Sequence, residues 1–135
     1  MKWTDFDLEN TIMNTLGIDV VEFSRERVVA TMPVTPKVHQ PFGLMHGGVS
    51  VVLAETVASS GSYLFIDPEK QRALGLEINA NHIRSVSSGM VKAVGTPIHV
   101  GKRTLIWDIR IFDESENLLC ISRCTMAVVN ISSTS

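Results

Sequence analysis

The sequence predicts an α+β domain, an antiparallel sheet curled around one long helix. Six stretches carry the apolar alternation or β-branched content of strands. A single run, from Gly47 to Ile66, is apolar or small throughout and holds one charge, Glu55. The connections among the last four strands are short, which makes those neighbours antiparallel. An antiparallel sheet with its helices on one face is an α+β architecture, and a helix apolar on all sides calls for a sheet wrapped around it.

The elements follow in order. Asp7–Leu16 places Leu8, Ile12 and Leu16 at helical spacing, with Gly17 as a stop. Ile18–Phe23 and Val28–Val34 read as strands around the polar turn Ser24-Arg25-Glu26-Arg27. Pro36 to Gly48 is loop chemistry, rich in Pro and Gly and holding His39, Gln40 and His46. The long helix then runs to Ile66, and Pro68 cannot continue it. Leu74–Ser85 alternates Leu74, Leu76, Ile78 and Ala80 against Glu77, Asn79 and Asn81. Met90–Val100, Thr104–Phe112 and Leu118–Val129 complete a four-strand meander, with Leu105, Trp107, Ile109 and Ile111 on one face.

Size and composition bound the function. The chain has 135 residues, 44% hydrophobic and 19% charged, which suits one globular domain. The domain is expected over residues 1–131, with a flexible tail at 132–135. A net charge of −2 gives no field to attract nucleic acid or an anionic membrane. The N-terminus lacks the apolar stretch of a signal peptide, and Glu55 argues against reading the apolar run as a membrane span. A cytoplasmic location is expected. Cys120 and Cys124 share one strand face about 13 Å apart, too far for a disulfide. No His, Cys or Asp cluster has metal-ligand spacing, so no metal is expected.

Glu55 is the residue that points to chemistry. Acids are almost never fully buried without a partner, and the run offers no Lys, Arg or His after His46. A carboxylate kept in such a helix is a candidate for catalysis. The stretch His46-Gly47-Gly48 opens the same helix, where unpaired N–H groups and glycine let a polarised carbonyl oxygen approach. Glu55 lies about 12 Å further along the axis, at about 1.5 Å per residue. One carbonyl cannot be gripped by both groups of one chain. The spacing therefore predicts a composite site between two antiparallel copies. Ser59, one turn on, either positions a water beside Glu55 or bonds back to the helix; Ser62 fits the back-bond.

Gln40, His46-Gly47-Gly48 and Glu55, with Ser59 one turn later, resemble the single-domain hotdog acyl-CoA thioesterases whose carboxylate lies in the central helix. These include the 4-hydroxybenzoyl-CoA, phenylacetyl-CoA and 1,4-dihydroxy-2-naphthoyl-CoA types. The order of elements is similar along nearly the whole chain. The resemblance implies thioester hydrolysis, with an aromatic or hydroxylated acyl group favoured. It makes Glu55 the nucleophile or the general base, has the Gly47 amide polarise the carbonyl, and places Gln40 at the same atoms. His46 either contacts the thioester or caps the loop. Coenzyme A is then part of the substrate, held by His82, Arg84 and Ser85 on one strand and by His99, Gly101, Lys102 and Arg103 around a turn. No other cofactor is implied. The resemblance also implies an obligate homodimer, either alone or paired further into a homotetramer. The competing readings are a non-catalytic acyl-CoA sensor, which has no use for Glu55, and a hydratase, whose His-Phe-Pro-Gly loop this chain lacks.

Overall fold

The computed structural model describes residues 1–132. The tail expected at 132–135 lies, apart from Ser132, outside the described residues. Six strands form one sheet: β1 (Asp19–Phe23), β2 (Val28–Val34), β3 (Gln71–His82), β4 (Gly89–Val100), β5 (Thr104–Phe112) and β6 (Leu118–Asn130). Two helices accompany it, α1 (Ile12–Leu16) and α2 (Gly47–Ser62), with a 3₁₀ turn at Tyr63–Phe65 extending α2. Every strand pairing is antiparallel.

The inner face of the sheet holds α2. Leu53, Ala54, Val57 and Ala58 are fully buried against Met32, Val91, Trp107 and Ile109. A Cβ on Gly61 would stand 2.5 Å from the Trp107 ring, so the glycine lets helix and strand meet closely. Trp107 Nε1 donates to Ser62 Oγ at 2.9 Å, and that hydroxyl donates to the Ala58 carbonyl at 2.7 Å. Ser62 is thus the back-bonded residue that its spacing predicts.

Four expectations need correction. The strand order is β1-β2-β4-β5-β6-β3, so β3 sits at the edge beside β6 and does not neighbour β4. A short connection does not force adjacency. The six residues from 83 to 88 reach about 20 Å, and crossing two intervening strands needs only about 14 Å. Second, a bulge between Gly75 and Glu77 shifts the alternation of β3. Leu74 and Leu76 are therefore exposed, while Ile78 keeps its contact with the core.

Third, α1 starts at Ile12, not Asp7. Asn10 has φ 59°, which a helix cannot hold, and Thr11 caps Asn14 N at 3.4 Å. Fourth, α2 is not covered on all sides. The sheet wraps one flank, and Val51, Val52, Glu55 and Ser59 face outward, with Glu55 exposed in the single chain.

Candidate active site

The loop from Pro36 to His46 is pinned by its own backbone. His46 N donates to Val38 O at 2.8 Å, Met45 N to Val86 O at 2.8 Å, and Gln40 N to Leu44 O at 2.7 Å. Gln40 Oε1 accepts from the amides of Phe42 at 2.5 Å and Leu44 at 3.4 Å. The carboxamide oxygen is thereby committed to the loop, and the NH₂ end remains as a donor. His46 caps α2, its Nδ1 accepting from Gly48 N at 2.9 Å. Of its two predicted roles, the structure displays the cap. The Gly47 amide donates to no described residue.

Gln40, Gly47, His82, Arg84 and Ser85 border one cavity of about 200 Å³. A Cβ on Gly47 would stand 2.8 Å from His82 Nε2, so the imidazole rests against the first turn of the helix. Arg84 is exposed and near Asp113, whose carboxyl is held below its usual range. The Asn117 side-chain hydrogen bond is the main cause there and the Arg84 charge the smallest.

Glu55 and Ser59 border a different cleft, about 380 Å³, on the uncovered flank of α2, with Ile12 and Met13 of α1 as its apolar wall. Among the described residues no cation lies within ion-pair distance of Glu55. Behind it, on β6, burial pushes the Cys124 thiol up to about 12, with smaller contributions from the negative charges of Glu55 and Glu77. Both cysteines are buried free thiols.

The remaining predicted residues stand elsewhere. Gly101 N donates to Thr104 O at 2.9 Å, and His99 lies against Gly101, whose Cβ would meet Nε2 at 2.7 Å. Lys102 lines a groove with Gln71 at the start of β3, and the Arg103 carbonyl accepts from Val128 N at 2.8 Å. The opposite end of β3 carries His82, about 36 Å away at about 3.3 Å per residue. One chain therefore presents three separate groups: the cavity at the start of α2, the Glu55 cleft, and the basic turn.

Residues 42–120, more than half of the chain, match the thioesterase superfamily. The chain belongs to that superfamily. It is similar to a 1,4-dihydroxy-2-naphthoyl-CoA hydrolase of Listeria monocytogenes, 53% identical over 87% of this chain and 94% of that protein. A crystal structure of a thioesterase from Pseudomonas aeruginosa superposes with a TM-score of 0.89 at 48% identity, covering 92% of this chain and 89% of the other. A Staphylococcus aureus protein, solved as a glutamate-to-alanine variant, gives 0.87 at 44% identity, covering 89% of this chain and 99% of the other. These matches make the chain a hotdog-type thioesterase, an enzyme with the α+β fold its sequence predicts.

Three parts of the thioesterase surface escaped the sequence reading. Ser50 borders the Gln40 cavity, Gly75 lies beneath Glu55, and Ile12 and Met13 wall its cleft. A signal existed for two of them. Ser50 stands three residues after Gly47 on the same helix face, and a glycine inside a strand marks a bulge or a close approach. Nothing in the sequence places α1 over the cleft.

Proposed function

We propose that the protein hydrolyses acyl-CoA thioesters, with an aromatic or hydroxylated acyl group favoured, in a site completed by a second copy of the chain. The observation that carries this reading is the division of one helix. Its first turn offers donors beside Gln40, and its uncovered flank offers the unpaired Glu55. The thioester carbonyl would accept from the Gly47 amide and the Gln40 NH₂. Glu55 would take a proton from water as the water attacks, or would itself attack to form an anhydride that water then opens. Either way the C–S bond breaks and coenzyme A leaves as the thiol.

Further support comes from the edge. β3 is 12 residues long and unpaired on its outer side, with Leu76 62% exposed. Such an edge is a template for pairing with another strand. Antiparallel pairing of two β3 edges would set the His82 end of one copy beside the Lys102 end of its partner. His82, Arg84, Ser85, His99, Gly101, Lys102 and Arg103 would then share one coenzyme A. Phe42, 88% exposed beside Gln40, offers more apolar surface to that partner. The homodimer, its pairing into a tetramer, and the absence of any cofactor beyond the substrate's coenzyme A belong to the same proposal. The acyl class is favoured by the name of the Listeria relative. The S. aureus variants replace a glutamate and a glutamine 15 positions apart, the interval from Gln40 to Glu55.

Thiol release from a panel of aliphatic and aryl acyl-CoAs tests this. Glu55→Ala is expected to bind coenzyme A normally while kcat falls by about 10²–10⁴-fold. Equal release by the wild type and Glu55→Ala would leave the protein a binder of acyl-CoA and sink the hydrolytic roles.

A further inference from the structure

Ser50 is 3% exposed, yet its hydroxyl makes no hydrogen bond to a described residue. Among the described residues only Thr35 Oγ1 is a fully buried side-chain polar atom without a partner, so the unpaired Ser50 hydroxyl keeps a small opening to solvent. Thr56 and Ser62, on the same helix, donate to the carbonyls four residues back at 2.7 Å each. Ser50 has the same option toward His46 O and does not take it; that carbonyl accepts from Val49 N instead. What Ser50 does face is the cavity it borders with Gln40, Gly47 and His82.

Side chains of an α-helix tilt toward its N-terminus and cover the preceding turn. Ser50 is the fourth residue of α2 and Gly47 the first. That tilt carries the Ser50 side chain toward the turn that Gly47 opens, and Ser50, Gly47 and Gln40 border the same cavity. We infer that Ser50 is a catalytic residue, donating its hydroxyl proton to the thioester carbonyl oxygen beside Gly47 and Gln40. The inference rests on the hydrolase reading above and adds a donor to it. A serine hydroxyl turns freely about its C–O bond. It can keep donating as the carbonyl becomes a tetrahedral oxyanion, when the bond strengthens and the barrier falls.

Two variants test it, Ser50→Ala and Ser50→Cys. Alanine suits the helix and leaves only a small gap; cysteine keeps the volume and donates poorly. Both are expected to lose kcat on the order of 10²-fold, with KM for an aryl-CoA and the melting temperature close to wild type. Wild-type kcat in either variant overturns the inference. So does a kcat loss in Ser50→Ala that accompanies a lower melting temperature and is absent in Ser50→Cys, since the serine then serves packing alone. A wild type that releases no thiol sinks the hydrolase reading as well; an active wild type with active variants sinks only the role of Ser50.

Discussion

The carboxylate of Glu55 lies against the backbone of Gly75: a Cβ on that glycine would stand 3.4 Å from Oε2 and 3.6 Å from Oε1. Gly75 sits at the β3 bulge and its φ is not positive, so L-residues are sterically allowed there. A methyl group would make ordinary van der Waals contact with the acid, whereas the branches of valine would have to displace it. Gly75→Ala is therefore expected to keep near-native kcat. Gly75→Val is expected to lose kcat by about 10²-fold, the usual consequence of moving a reacting group by about 1 Å. Steady-state kinetics with circular dichroism as a control for folding would check both. A fully active valine variant would mean that the carboxylate does no chemistry from this position.

His46 is the N-cap of α2 through the bond from Gly48 N. His46→Ala should destabilise the protein by about 1 kcal/mol, read as a drop in melting temperature of about 4 °C. His46→Asn should restore it, because an asparagine oxygen can accept the same amide proton. As a cap only, the asparagine variant also retains kcat. A stable His46→Asn with kcat collapsed would assign the imidazole to the thioester instead.

The two buried thiols set an alkaline limit. In the unfolded chain a cysteine ionises near the ordinary 9.0, whereas in the fold Cys124 is raised to about 12 and Cys120 is raised too, in both cases mainly by burial. Between those values the unfolded thiol has lost its proton and the folded one keeps it. Unfolding then releases protons, and stability falls as pH rises. Below pH 9 the difference vanishes. Urea midpoints are therefore expected to decline from pH 9 upward, and less steeply in Cys124→Ala. At pH 8 a thiol reagent should find no reactive cysteine in the native protein and two after unfolding. Rapid native labelling would show that β6 opens.

Much of this fold was legible in the chain, for reasons that differ by element. β2 and β5 fall on their predicted bounds because one face of each is fully apolar, as in Leu105, Trp107, Ile109 and Ile111, all 0% exposed. The position of β3 was not legible. A six-residue connection is compatible with adjacency and with a crossing alike, and the bulge after Gly75 breaks the period of two from which its faces were read. Glu55 shows a deeper limit. The apolarity of Val51 and Val52 predicts that something covers them, and a single sequence does not say whether the cover is its own sheet or another copy. Glu55 and the Gly47 amide could be singled out by type and spacing, and Gln40 only through the family resemblance. That Gln40 keeps its NH₂ end free is visible only once the loop amides are seen on its oxygen.

The separation of Glu55 from the Gln40 cavity yields the sharpest test. If each site takes its acid from one copy and its carbonyl donors from the other, Glu55→Ala and Gln40→Ala are each nearly inactive alone. Co-refolding equal amounts makes half of the dimers mixed. In a mixed dimer one site combines both substitutions, and the other draws Glu55 from the Gln40→Ala copy and Gln40 from the Glu55→Ala copy. That second site is native, so the mixture should recover about a quarter of wild-type activity. Sites built within one chain would recover nothing, because every site would carry one defect. Separating the mixed dimer by a tag on one copy and finding it inactive would place Glu55 and Gln40 in a single protomer's site. The 36 Å span of β3 and the two distinct clefts on α2 would then need another explanation.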